Sequence, residues 1–127
     1  MFYLDQSRLA CFDCDDTLVN WDISKYPHTE DELVQVPDDQ YHWKVLPHHK
    51  NIELLKRLKA QGYGIVVWSA AGNDWARTVI QMLGIEQFVD ICMSKPELAV
   101  DDLLEAKRII KSVIWIDPIT GEYKREK

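Results

Sequence analysis

Phe12-Asp13-Cys14-Asp15-Asp16-Thr17-Leu18 is the stretch whose reading decides the fold. It follows Leu9-Ala10-Cys11, and with Phe12 these form a short, uninterrupted apolar run that breaks off into acid. A buried parallel strand has this form, because both of its faces are covered and only its C-terminal end meets water. Asp13, Asp15 and Asp16 place three carboxylates within four positions. Like charges so close repel, and a fold tolerates them at a strand end when a cation or a hydrogen-bond network compensates. The alternative is a helix N-cap or an incidental acidic turn.

Downstream, apolar runs alternate with helical patterns. Between Asn51 and Gln61 the residues Ile52, Leu54, Leu55 and Leu58 share one helical face opposite Lys56, Arg57 and Lys59, and Gly62 supplies a stop. Gly64-Ile65-Val66-Val67-Trp68 then reads as a β-branched strand ending at Ser69. A second helix is expected over Asp74 to Leu83, closing at Gly84, with Trp75, Val79, Met82 and Leu83 roughly on one side. Shorter apolar runs follow at Val89 to Met93, Leu98 to Val100 and Val113 to Ile116, with a helical piece from Leu103 to Ile110. Strands alternating with helices imply parallel β-α units, which bring polar residues together at the strand C-termini. The expected architecture is a three-layer α/β/α sandwich around a mostly parallel five-stranded sheet.

Residues 20–49 follow neither period. They hold Pro27, Pro37, Pro47, all four histidines and the aromatics Trp21, Tyr26, Tyr41 and Trp43. So long an irregular stretch inside a compact domain usually has a role as a lid or binding insertion. Thr29 followed by Glu30, Asp31 and Glu32 predicts a short helix ending before Pro37.

With 127 residues, 46% of them hydrophobic, the chain can bury one core but is short for two ordinary domains, so a single domain over 1–127 is expected. A formal charge of -6 argues against a broad nucleic-acid surface, so a phosphate must be held locally by a metal and a few donors. No apolar run approaches a membrane span, and MFYLDQSRLA lacks the pattern of a secretory signal. Three cysteines suit a reducing compartment better than a disulfide framework, so a cytoplasmic location is expected.

Three later stretches repeat the placing of a polar group just past an apolar run: Val66-Val67-Trp68-Ser69-Ala70, Met93-Ser94-Lys95-Pro96 and Leu98-Ala99-Val100-Asp101-Asp102. Singly, these are a turn serine, a surface lysine and a helix-capping acidic pair. In this order, over residues 9 to 102, they and the Asp13 stretch resemble the haloacid dehalogenase-like superfamily, in particular its very small phage and bacterial members. The first motif there is a strand followed by Asp-x-Asp-x-Thr. The resemblance implies a Rossmannoid fold with a small cap or none, in which Asp13 attacks phosphorus to form an aspartyl phosphate. Asp15 protonates the leaving oxygen and then activates water, at a position where family ATPases carry Thr. Thr17 orders the loop, and Asp16 stands where Gly or another small or polar residue is common. The Ser69 hydroxyl and the backbone N–H groups of Ala70 and Cys14 bind phosphoryl oxygens, and Lys95 bridges nucleophile and phosphate. The implied cofactor is Mg²⁺, held by the Asp13 carboxylate, the Asp15 backbone carbonyl and Asp102, with Asp101 acting through a water.

The expected activity is a Mg²⁺-dependent phosphomonoesterase for a small phosphorylated metabolite or nucleotide, with residues 20–49 as a flap. Trp21, Tyr41, Trp43 and Lys44 are candidates to line its substrate pocket, with simple packing of the insertion as the alternative. Rival readings are a phosphatase for protein or nucleic-acid ends and a non-catalytic binding or regulatory protein of the same fold. Small family members close an open site by oligomerising or accept bulky substrates, so a homo-oligomer is also considered; a membrane partner is not expected. Cys11 and Cys14 form one Cys-x-x-Cys without a second pair, and Cys11 is expected to be a buried small residue. His28, His42, His48 and His49 fit no standard zinc spacing and read as solvated loop or helix-start residues.

Overall fold

The computed structural model describes residues 8–37, 39–102, 113–117 and 122–126. The chain divides into two compact units, 1–95 and 96–127. The first contains β1 (Leu9–Asp13), β2 (Val19–Asn20), β3 (Val34–Gln35), β4 (Lys44–Pro47), α1 (His49–Ala60), β5 (Gly64–Ser69), α2 (Asn73–Leu83) and β6 (Ile91–Ser94).

β1, β5 and β6 form a parallel sheet in that spatial order. The middle strand is the one with the continuous β-branched run, and Gly64, Ile65, Val66 and Val67 are all buried. Register aligns the strand ends: Asp13 lies opposite Trp68, and Ser69 opposite Ser94. Polar C-termini therefore collect along one edge of the sheet.

The helices follow their sequence signals closely. His48 caps α1, its Nδ1 accepting the Asn51 N–H at 3.3 Å. α2 stops at Gly84, whose φ of 65° is the left-handed conformation that ends helices and favours glycine. Leu18, Leu55, Ile65, Val67, Val79 and Ile85 share the core. Asp90, just before β6, ties the sheet to α1: its Oδ2 accepts the Ile65 N–H at 2.7 Å, and its Oδ1 lies 2.8 Å from Lys59 Nζ. Burial alone would raise this carboxyl, but the hydrogen bonds from Lys59 and Ile65 outweigh it and hold Asp90 below the usual carboxylate range.

Residues 20–47 are more ordered than their sequence suggests. β2, β4 and β3 form a small antiparallel sheet in that order, joined by 3₁₀ turns at Ile23–Lys25 and Glu30–Glu32. The helix expected after Thr29 is that single 3₁₀ turn; Thr29 donates its N–H and hydroxyl to Glu32 Oε1 at 3.1 and 3.0 Å. Val45, Leu46 and Pro47 are buried, so the insertion is rooted in the core along β4.

In the second unit, β7 (Val113–Ile116) pairs antiparallel with β8 (Tyr123–Glu126). Three expectations change. Among the described residues the parallel sheet has three strands, not five, because the Val113 run pairs with its own neighbour in sequence. Leu98 to Val100 forms no strand; Leu98 and Val100 are 82% and 93% exposed, and three apolar residues without a pairing partner have no ladder to hold them. On β1, Phe12 faces the core while Leu9 and Cys11 are exposed, because alternation sends them to the opposite face of the strand, which stands at the sheet edge among the described residues. The helical piece expected at Leu103 to Ile110 lies outside the described residues. No helix among those described is long and apolar enough to cross a membrane.

Candidate active site

The chain turns sharply after β1. Thr17, Leu18 and Val19 all direct their N–H groups at the Cys14 carbonyl, at 3.2, 2.8 and 3.2 Å, and the Asp16 N–H reaches back to Val19 O at 2.7 Å. So tight a wrap needs one left-handed residue, and Asp16 takes that place with φ at 60°. Aspartate tolerates this conformation better than most side chains, while glycine would adopt it freely. The loop is held from outside by Asn51, fully buried in the first turn of α1, whose Nδ2 donates to Thr17 O at 2.7 Å.

This turn leaves Asp13 at the end of β1 and Asp15 in the loop, each partly exposed. Ser69, 1% exposed, ends the neighbouring β5; its Oγ accepts the Ala71 N–H at 3.0 Å. Lys95 follows β6 directly, and its N–H donates to Ser69 O at 2.8 Å. Its ammonium lies 4.0 Å from Asp13 Oδ1, with both side chains well exposed. A pair this long and wet contributes little stability. Its meaning is positional: Asp13, Ser69 and Lys95, with Lys95 lying 26 residues after Ser69 and 82 after Asp13 in sequence, meet along one sheet edge. Ala70 lies exposed in the turn after Ser69.

Asp15 has partners that sequence reasoning missed. Its Oδ1 accepts from Trp21 Nε1 at 2.8 Å and from Trp75 Nε1 at 3.0 Å. Trp75 reads in sequence as an apolar helix residue; the available signal was that a half-buried indole N–H requires an acceptor. Asn51, a polar residue at the start of an apolar helix face, carried a similar signal.

Trp21 also forms part of an open cavity of about 320 Å³ with Ile23, Tyr41, His42, Trp43 and Lys44. The four pocket candidates therefore do come together. Asp39 sets the loop that bears two of them, its Oδ1 accepting the Tyr41 N–H and its Oδ2 the Trp43 N–H, each at 3.0 Å. Lys44 is bound to Glu30 at 2.9 Å.

Cys14 is fully buried, and its thiol is pushed up to about 12, first by burial and then by the carboxylates of Asp15 and Asp13. A thiol so buried and so hard to ionise is unreactive as it stands in the free protein. Of the histidines read as solvated, His48 is instead buried at the start of α1.

Asp101 and Asp102 are exposed residues of the second unit. Among the described residues no group of three or more His, Cys, Asp or Glu gathers as a metal site. What the Asp13 loop does offer is a carboxylate and a main-chain carbonyl, the hard oxygen donors that suit Mg²⁺, an ion that keeps several of its waters.

Comparison with known families gives first a class: the enzyme is a phosphatase of the haloacid dehalogenase-like superfamily, a phosphoric monoester hydrolase. The chain belongs to the NLI interacting factor-like phosphatase family, which it matches over residues 9–127. Phosphatases of this class usually use Mg²⁺. No curated protein and no solved structure matches the chain.

Proposed function

We propose that the protein is a small, minimal-cap phosphomonoesterase of phage or bacterial type that transfers phosphate to Asp13 and then to water. The observation that carries this reading is the meeting of Asp13, Ser69 and Lys95 on one strand edge, with Lys95 Nζ 4.0 Å from Asp13 Oδ1. Asp13 is the nucleophile, and an attacking carboxylate divides one hard displacement into two easier ones. The Lys95 ammonium lets the carboxylate and the incoming phosphate dianion approach. Ser69 Oγ already accepts from Ala71, so its proton is the part left to donate to a phosphoryl oxygen, beside the N–H groups of Ala70 and Cys14. Asp15 gives a proton to the leaving oxygen and takes one from water in the second step.

Mg²⁺ would be held by the Asp13 carboxylate and the Asp15 carbonyl, with waters at its remaining positions. When bound it supplies positive charge against that of the phosphoryl group.

The substrate class we favour is a small phosphorylated metabolite or nucleotide. The cavity is walled by Trp21, whose indole also donates to Asp15, and by Tyr41 and Trp43, faces suited to stacking a flat ring on the leaving-group side. Three free thiols fit a reducing, cytoplasmic setting.

Phosphate release from p-nitrophenyl phosphate and a panel of nucleotides and sugar phosphates, with Mg²⁺ and with EDTA, tests this. Wild type should turn over only with the metal, and Asp13→Asn should lose at least about a thousandfold. Turnover that survives either change would overturn the reading.

A further inference from the structure

Asp15 is held by an arrangement that ordinary packing does not require. Two indole N–H groups, Trp21 Nε1 at 2.8 Å and Trp75 Nε1 at 3.0 Å, converge on the same oxygen, Oδ1. They arrive from different elements: Trp21 follows β2 at the root of the insertion, and Trp75 sits in the first turn of α2. Their rings stack with centroids 5.6 Å apart and an interplanar angle of 28°, so each fixes the other's orientation. Both are half-buried. An indole nitrogen donates and never accepts, so the contact has one polarity in every protonation state. Among the described residues, Oδ2 of Asp15 receives no hydrogen bond.

We propose that Trp21 and Trp75 are positioning residues that fix the Asp15 carboxyl by Oδ1 and thereby reserve Oδ2 as the oxygen that carries the proton. This rests on the acid–base role given to Asp15 above. A protonated carboxyl has one oxygen that accepts and one that bears hydrogen. Two donors on Oδ1 make it the acceptor, so the proton resides on Oδ2. In the first step Asp13 bonds to phosphorus, the ester P–O bond breaks, and the Oδ2 proton passes to the leaving oxygen. In the second step water attacks phosphorus, the bond to Asp13 breaks, and the water's proton returns to Oδ2. The enzyme ends as it began, with one alcohol and one phosphate released. Because the stack joins α2 to the insertion, the same contact sets Asp15 relative to the cavity that Trp21 helps to wall.

Trp21→Phe, Trp75→Phe and the double variant keep a ring in each place and remove only the N–H donors. Rates on p-nitrophenyl phosphate, whose leaving group needs little protonation, are compared with rates on an alkyl phosphate, whose leaving group needs it fully. The double variant should lose about tenfold or more in kcat on the alkyl ester and severalfold less than that on the p-nitrophenyl ester. Equal losses on the two esters, or none, would overturn the proposal. Asp15→Asn separates the two levels of the argument. If it shows the leaving-group-dependent loss and the Phe variants do not, the positioning claim alone fails; if Asp15→Asn shows none, the acid–base reading fails beneath it. A measurement independent of turnover and of the folding of the Phe variants uses the five tryptophans of the chain. In a ¹H–¹⁵N spectrum, Asp15→Ser should move two indole Nε1–H signals upfield, and a spectrum with all five in place would overturn the hydrogen bonds themselves.

Discussion

The parallel sheet and the insertion at residues 20–47 solve the same problem, holding side chains in place, by different means. In the sheet, Asp13, Ser69 and Lys95 are set by backbone register: β1 and β6 flank β5, and the strand ends are fixed by ladders that begin several residues earlier. In the insertion the strands β2 and β3 are two residues long, and position comes from local contacts between side chain and backbone, such as Asp39 with Tyr41 and Trp43. The aromatics so presented remain exposed, Tyr41 at 72% and Trp43 at 57%, while the sheet's middle strand is buried through Val67. The groups proposed to react thus stand on the part of the unit held by strand ladders, and the pocket candidates on a part held by local contacts.

The contrast is sharpest in stability. Leu55 is fully buried in α1 against the sheet. Leu55→Ala should cost about 2–5 kcal/mol, read by urea or thermal unfolding, because the surrounding sheet and helices cannot close the void. A loss below about 1 kcal/mol would mean that the core is as yielding as the insertion, and the distinction would fail.

Asn51→Ala comes next and asks how far the scaffold controls the loop after β1. It removes the 2.7 Å bond to Thr17 O and leaves that carbonyl to find another partner. A stability loss of about 1–3 kcal/mol is expected, together with a fall in kcat at nearly constant KM, since the loop carries Asp15 rather than the pocket. A change confined to KM would assign the loop to substrate binding instead.

The two regions also differed in how much their sequences disclosed. β1, β5, α1 and α2 were legible because a continuous apolar run, a 3.6-residue period and glycine stops at Gly62 and Gly84 are local signals. Asp13, Ser69 and Lys95 were legible as strand-end residues for the same reason. The insertion's pairing was hidden, since a strand of two residues has no period to read, and the run at Leu98 was overread because three apolar residues do not distinguish strand from loop. Trp75 and Asn51 were hidden for another reason. Their partners lie 60 and 34 residues away, and nothing near either residue points to a carboxylate or a carbonyl.

A smaller effect tests the junction between the regions. His48, which follows β4 and caps α1, is held below its ordinary 6.5, chiefly by burial, with Lys50 and His49 adding to the effect against a backbone hydrogen bond that opposes it. The folded protein therefore keeps the imidazole neutral where the unfolded chain takes up a proton. The stabilising contribution is complete above 6.5 and is lost as pH falls from there through the lowered folded value. His48→Asn retains a capping acceptor but does not titrate. Urea unfolding at about pH 7.5 and about pH 5.5 should show a steeper loss for wild type than for the variant. Parallel losses would show that His48 is not the titrating group.

The smallest stability effect belongs to Trp43, and it is the one that most directly separates the regions. The ring is more than half exposed, and its neighbours place it by contacts to its backbone: Asp39 Oδ2 accepts its N–H, and its carbonyl accepts the Val36 N–H at 2.9 Å. Trp43→Ala leaves both bonds in place, so unfolding should shift by no more than about 0.5 kcal/mol. What it removes is one wall of the cavity beside Trp21. If that cavity takes the leaving group, KM for a substrate with a flat ring should rise severalfold while kcat on p-nitrophenyl phosphate stays within about twofold, because Asp13 and Lys95 are set by strands the substitution does not touch. A stability loss comparable to that of Leu55→Ala would make Trp43 a packing residue and the insertion a part of the core. An unchanged KM across ring-bearing substrates would leave the aromatic wall without a part in recognition.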